Sequence, residues 1–141
     1  MTMLVWKNKL SVGNAAIDSE HKNLMELVNE IELKIKAGDA SGLPHELEHL
    51  RHWLCVHFAN EENIARAIGF PLAQNMREHE YLLKEFQKME NELLGENGLG
   101  SGKPAKRYSH FLSDWLTDHI LKEDLLMKPM LRTYPYDFKP D

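Results

Sequence analysis

Seven positions at helical spacing stand out in this chain: His21, His57, Glu61, Asn75, His79, His119 and Asp124. Six of them carry donors that bind metals, and Asn75 is the weak member. Three local patterns hold most of the set: His57-x-x-x-Glu61, Asn75-x-x-x-His79 and His119-x-x-x-x-Asp124, with His21 alone on an earlier segment. Imidazole suits iron, copper, nickel and zinc, and a carboxylate can span two cations. Four imidazoles and two carboxylates on four separate segments therefore fit a metal pair, with Glu61 and Asp124 as bridges and the histidines outside them. Left unpaired on apolar stripes, such groups would each cost about 1–3 kcal/mol, and more if charged. A structural zinc site fits less well, because zinc is usually held by four ligands rich in Cys and His.

Residues four apart on a helix differ by about 40° and one turn, so His57 and Glu61 reach one point, as do Asn75 and His79. His119 and Asp124 are five apart, about 140° off in a regular helix. Their convergence predicts a π-type bulge or similar distortion between them, a feature that often marks functional sites.

Four amphipathic patterns position the set. The first runs from about Asp18 to Ala37 on Leu24, Val28, Ile31 and Ile35, with His21 on the same stripe and Gly38 as its C′ residue. The second runs from about Pro44 to Ile68, opened by Pro44 and closed by Gly69 and Pro71. The third runs from about Leu72 to Leu94. A glycine-rich loop, Gly95 to Gly102, follows it. The fourth runs from about Pro104 to Lys128 and is ended by Pro129. Short connections between such helices predict an all-α fold, an antiparallel up-down four-helix bundle, preceded by an extended arm from Leu4 to Ile17. Residues 1–132 read as one domain, and residues 133–141, rich in Pro and aromatics, read as a tail or the start of a linker.

Composition narrows the function classes. The chain has 141 residues, enough for one domain with a real core. Its net charge of −5 and the lack of a Lys/Arg block argue against nucleic acid and an anionic membrane surface as main partners. Neither a secretory signal nor an apolar run long enough to span a membrane is visible. The single cysteine, Cys55, fits a reducing cytoplasm, and its position about 200° from His57 on the helix points to packing. Eight histidines are many for this length. Of these, His45, His49, His52 and His110 fall off the inner faces and read as solvated.

The motifs together resemble bacterial hemerythrins. The resemblance is carried by Trp6…Leu10-Ser11-Val12-Gly13…Ile17-Asp18-x-Glu20-His21-Lys22-x-Leu24, by His57-Phe58-x-x-Glu61-Glu62 and Phe70-Pro71, and by Trp115-Leu116-x-x-His119-Ile120-x-x-x-Asp124. It covers Trp6 to about Leu131. What it implies is two non-haem iron ions with an oxo or hydroxo bridge. One iron takes His21 and His57 and keeps an open position for O2. The other takes the positions of Asn75, His79 and His119, and Glu61 and Asp124 bridge. Its implied O2 pocket is Leu24, Phe58, Trp115, Leu116 and Ile120, residues that double as core.

Asn75 departs from the family pattern, and no other histidine between Ala59 and Glu78 restores the ligand. Asparagine is a weak neutral donor. The expectation is that it does not bind, that water or an exogenous anion fills the position, and that stable O2 carriage gives way to ready oxidation. The chain is accordingly expected to be an oxygen or redox sensor. It would regulate a fused or partner signalling output, such as a C-terminal diguanylate cyclase or a chemoreceptor. The alternative is a free-standing O2 carrier, store or iron-handling protein. An enzyme of the ferritin type is disfavoured, since such enzymes use paired Glu-x-x-His motifs and only Glu46-x-x-His49 occurs here, off the inner face. Weak peroxidase-type side activity from the open iron is the most catalysis expected.

Overall fold

A computed structural model of the chain describes residues 3–95, 107–108 and 110–140, apart from the side chain of His119. Among the described residues it is helical, with no strand. Helix α1 spans Ala15–Ala37, α2 spans Leu43–Ile68 and α3 spans Leu72–Leu94. The fourth arm is composite: α4 (Phe111–Leu116), a π-helical stretch (Thr117–Leu121), α5 (Lys122–Asp124), a 3-10 turn (Leu125–Met127) and α6 (Lys128–Leu131). Helix α1 packs on α2 and on α4, and α2 packs on α3, as in a four-helix bundle.

The boundaries follow from local chemistry. The Asn14 side chain accepts from Ile17 N–H at 3.1 Å and caps α1. Gly38 ends α1 in the left-handed region at φ 66°, where a Cβ would be strained. The expected 3-4 stripes form the core. They make two apolar clusters: one contains Leu24, Val28, Leu54, Leu82 and Leu116, the other Val12, Ile17, Ile64, Ile68 and Met127. Between them, His21 follows Ile17 and precedes Leu24, Glu61 precedes Ile64, and Asp124 precedes Met127. His21, His57, Glu61, His79 and Asp124 thus form a buried polar layer that divides the core.

Three expectations are corrected. The N-terminal arm is not extended throughout: Asn8–Leu10 form a 3-10 turn, and α1 begins already at Ala15. Pro129 does not end the fourth arm. The 3-10 turn before it opens a fresh helical turn, where proline near the start sacrifices no helical hydrogen bond, and α6 runs to Leu131. The tail, residues 133–140, is not loose. Tyr134 and Phe138 pack on the second apolar cluster. Ala15 N–H donates to Tyr136 O at 2.7 Å, Asn14 Nδ2 to Phe138 O at 2.9 Å, and the Tyr136 hydroxyl to Asp18 Oδ2 at 2.9 Å. The same carboxylate accepts from Val12 N–H at 2.9 Å, so arm, helix and tail meet at one buried acid. Pro104 and most of the expected glycine-rich loop lie outside the described residues.

A second buried acid makes a stability prediction. Glu32 is 2% exposed and accepts from Ser113 N–H at 3.2 Å, tying α1 to α4. Burial pushes its carboxyl up, only partly offset by the bonds from Ser113. A carboxyl raised on folding favours the folded state while protonated, and that contribution is lost as pH rises through the folded value. Glu32→Gln keeps an acceptor and removes the buried charge. It is expected to stabilise the protein by on the order of 1 kcal/mol at pH 7, with the gain shrinking toward pH 4. Urea denaturation at both pH values checks this, and an equal or larger gain at pH 4 counts against it.

Candidate metal centre

His21, His57, Glu61 and Asp124 each offer a donor atom, and these four atoms lie within 4.8 Å of one another, all buried. Three helical segments deliver them: α1 gives His21, α2 gives His57 and Glu61 one turn apart, and α5 gives Asp124. Asp124 Oδ2 is 2.6 Å from His21 Nε2 and 3.0 Å from His57 Nε2, and the two Nε2 atoms are 3.2 Å apart. On the other side of Glu61, α3 brings His79 Nε2 to 3.3 Å from Glu61 Oε1. His119 lies within the π-helical stretch, and its side chain is outside the described residues. The stretch occurs where the five-residue spacing required it: Lys122 N–H bonds to Thr117 O, five residues back. His45, His49, His52 and His110 are exposed, as expected, but so is Cys55, which therefore neither ligates nor packs in the core.

Without a cation this layer is poorly satisfied. Glu61 Oε2 is buried without a hydrogen bond, although His57 Nε2 is 3.1 Å away, and His21 Nδ1 is likewise unpaired. Burial alone would push the His57 and His79 imidazoles down, yet hydrogen bonds to the surrounding acids hold both up, His57 well above the usual range. Burial would raise Glu61, but bonds from His57 and His79 hold it well below the carboxylate range. Burial and the nearby Glu61 charge push Asp124 up. The acids and imidazoles thus bind one another in the way that a cation would bind them all. Converging imidazole nitrogens and carboxylate oxygens, with Glu61 Oε2 left without a hydrogen bond, are a donor set that iron fits.

The family model for the hemerythrin HHE cation binding domain matches residues 12–131. The chain belongs to that family. Hemerythrin membership implies non-haem iron and O2 binding. Similar relatives include bacteriohemerythrins of Clostridium acetobutylicum (26% identical over 127 residues, 86% of this chain and 96% of the relative) and Methylococcus capsulatus (26% over 135 residues, 93% and 98%). Another, from Stenotrophomonas maltophilia, is 24% identical over 125 residues, 88% of this chain and 78% of the relative.

Two residues of this hemerythrin domain that the sequence motifs contain without a role stand directly behind candidate ligands. Glu20 Oε1 lies 2.7 Å from His57 Nδ1, and Glu62 Oε2 lies 2.7 Å from His79 Nδ1. Each carboxylate fixes the ring so that Nε2 faces the centre, the arrangement expected behind metal-bound histidines. Asn75 behaves differently. Its Nδ2 donates to Glu61 Oε1 at 2.9 Å, while its Oδ1 is buried with no partner. In this orientation a group without a lone pair faces the Glu61 carboxylate, so Asn75 braces Glu61. The five expected pocket residues, Leu24, Phe58, Trp115, Leu116 and Ile120, are all buried in the first apolar cluster. Only Phe58 and Ile120 of them line the cavity beside the ligands, and Phe58 stacks on His79 with ring centres 4.0 Å apart.

Proposed function

We propose that this chain is a non-haem di-iron O2-binding domain that works as an oxygen or redox sensor. In this reading His21, His57, Glu61, His79, His119 and Asp124 hold the irons, and Asn75 is not a ligand. The observation that carries the reading is the Asn75 side chain, which turns its N–H to Glu61 where a further donor would serve an iron. Bound ferrous iron supplies the electrons and the open position that O2 chemistry needs. The chain's residues do the rest. Glu20 and Glu62 hold His57 and His79 in the metal-binding tautomer, Asn75 steadies the bridge, and the apolar cluster keeps bulk water from one side. An iron short of one protein ligand leaves room for water. That favours net oxidation over reversible carriage, and a one-way response suits a switch.

The output would be a fused or partner signalling module, and catalysis is confined to weak peroxidase-type side activity. Among the described residues no helix is long and apolar enough to cross a membrane; the setting we propose, a reducing cytoplasm, rests on the single cysteine, Cys55. The second reading, a carrier or iron store, makes the opposite demand on reversibility. Asn75→His is expected to raise the share of O2-binding capacity recovered after air exposure and deoxygenation, slowing loss by about tenfold or more. Unchanged, near-complete recovery in both proteins would favour the carrier.

A further inference from the structure

A cavity of about 230 Å³ lies between α3 and the fourth arm, beside the ligands. Phe58, Asn75, Glu78, His79, Glu123 and Asp124 are among its lining residues. It far exceeds the about 10–15 Å³ that one water requires. Its position is specific: it opens at the half of the site held by His79, beside the buried, unpaired Asn75 Oδ1. Trp115, Leu116 and Leu24, on the expected O2 side, do not line it.

We propose that this cavity binds a small neutral nitrogen- or oxygen-donor molecule, of the size of imidazole, as an exchangeable ligand to the iron that Asn75 leaves short. The inference rests on the di-iron reading above. Shape and polarity argue for a flat, partly apolar ligand. Phe58, Leu82 and Ile120 supply apolar wall, while Asn75 and Gln74 supply amides. Charge argues against an anion. Glu78, Glu123 and Asp124 line the cavity, with no lysine or arginine among the lining residues. Glu61, Glu62 and Glu20 stand behind them on Asn75, His79 and His57. These six carboxylates exceed the four positive charges that two ferrous ions bring, so the ions' own charge, which must be counted, does not make the pocket attractive to anions. Water or a neutral donor replaces the anion that the sequence alone left open.

The test loads the protein anaerobically with ferrous iron, counts the metal, and titrates imidazole while reading the melting temperature and the absorption spectrum. Wild type is expected to show a saturable, iron-dependent response to imidazole, with affinity about tenfold or more above that of Asn75→His, whose own ring fills the position. Azide, as the anionic probe, is expected to displace imidazole poorly. Should Asn75→His fail to fold, Gln74→Trp, at an exposed cavity-lining position, narrows the space instead and is expected to weaken imidazole to a similar degree. Two irons per chain with no imidazole response, with equal affinity in the variants, or with ready displacement by azide overturns the inference and leaves the di-iron reading standing. Fewer than two irons in wild type overturns the reading, and the inference with it.

Discussion

Glu61→Ala is expected to reduce iron binding from two ions per chain to less than one. Glu61 is fully buried and stands between the two halves of the centre. One oxygen faces His79 at 3.3 Å and Asn75 at 2.9 Å, and the other lies 3.1 Å from His57. Its two oxygens face the two sides, so its loss takes a donor from each metal position at once. The metal-free protein should suffer too. Glu61 is the main acid holding the His79 imidazole up and joins Asp124 and Glu20 in doing so for His57, and removing one member of a buried charged group costs about 3–5 kcal/mol. Metal counting after anaerobic reconstitution checks the first effect and urea denaturation of the metal-free chain the second. Two irons retained by Glu61→Ala would contradict the role assigned to this residue.

Glu62→Gln is expected to speed the loss of one iron to a chelator by about 10–100-fold, leaving the other nearly unchanged. Glu62 touches no candidate metal position. It accepts from His79 Nδ1 at 2.7 Å, which keeps the proton there and the Nε2 lone pair turned inward. Glutamine preserves size and one hydrogen bond but removes the charge that raises the basicity of the ring. Glu20→Gln is the matched change on His57, which Glu20 grips at 2.7 Å while accepting from Asn60 on its other oxygen. The two variants should therefore accelerate different phases of a biphasic release, followed by absorbance of the ferrous–chelator complex. A single phase that both variants accelerate equally would show that the carboxylates act on the fold rather than on separate irons.

Much of this arrangement was legible in the sequence because it is local to single helices. The 3-4 stripes, Gly38, Pro44, Gly69 and Pro71 mark α1 to α3 within a few residues. The five-residue gap between His119 and Asp124 demanded a π-helical stretch, and Thr117–Leu121 forms one. Features that cross between helices were not legible. Glu20 on α1 serves His57 on α2, and Glu62 on α2 serves His79 on α3. Their only sequence signal is adjacency to His21 and Glu61, and a neighbour on a helix points about 100° away, which suggests solvent unless the partner helix is known. The tail misled for a related reason. Its prolines and aromatics look like a linker until Asp18 and the second apolar cluster are seen to receive Tyr136, Tyr134 and Phe138. Asn75 read as a missing ligand, and the hydrogen bond it gives Glu61 depends on how α3 meets α2.

The most direct measurement is anaerobic reconstitution with ferrous iron, followed by metal counting and absorption spectra before and after exposure to air. Two irons per chain, with new charge-transfer bands appearing on exposure, are expected. A chain that retains only zinc, or no metal, and whose spectrum ignores oxygen would contradict the di-iron centre.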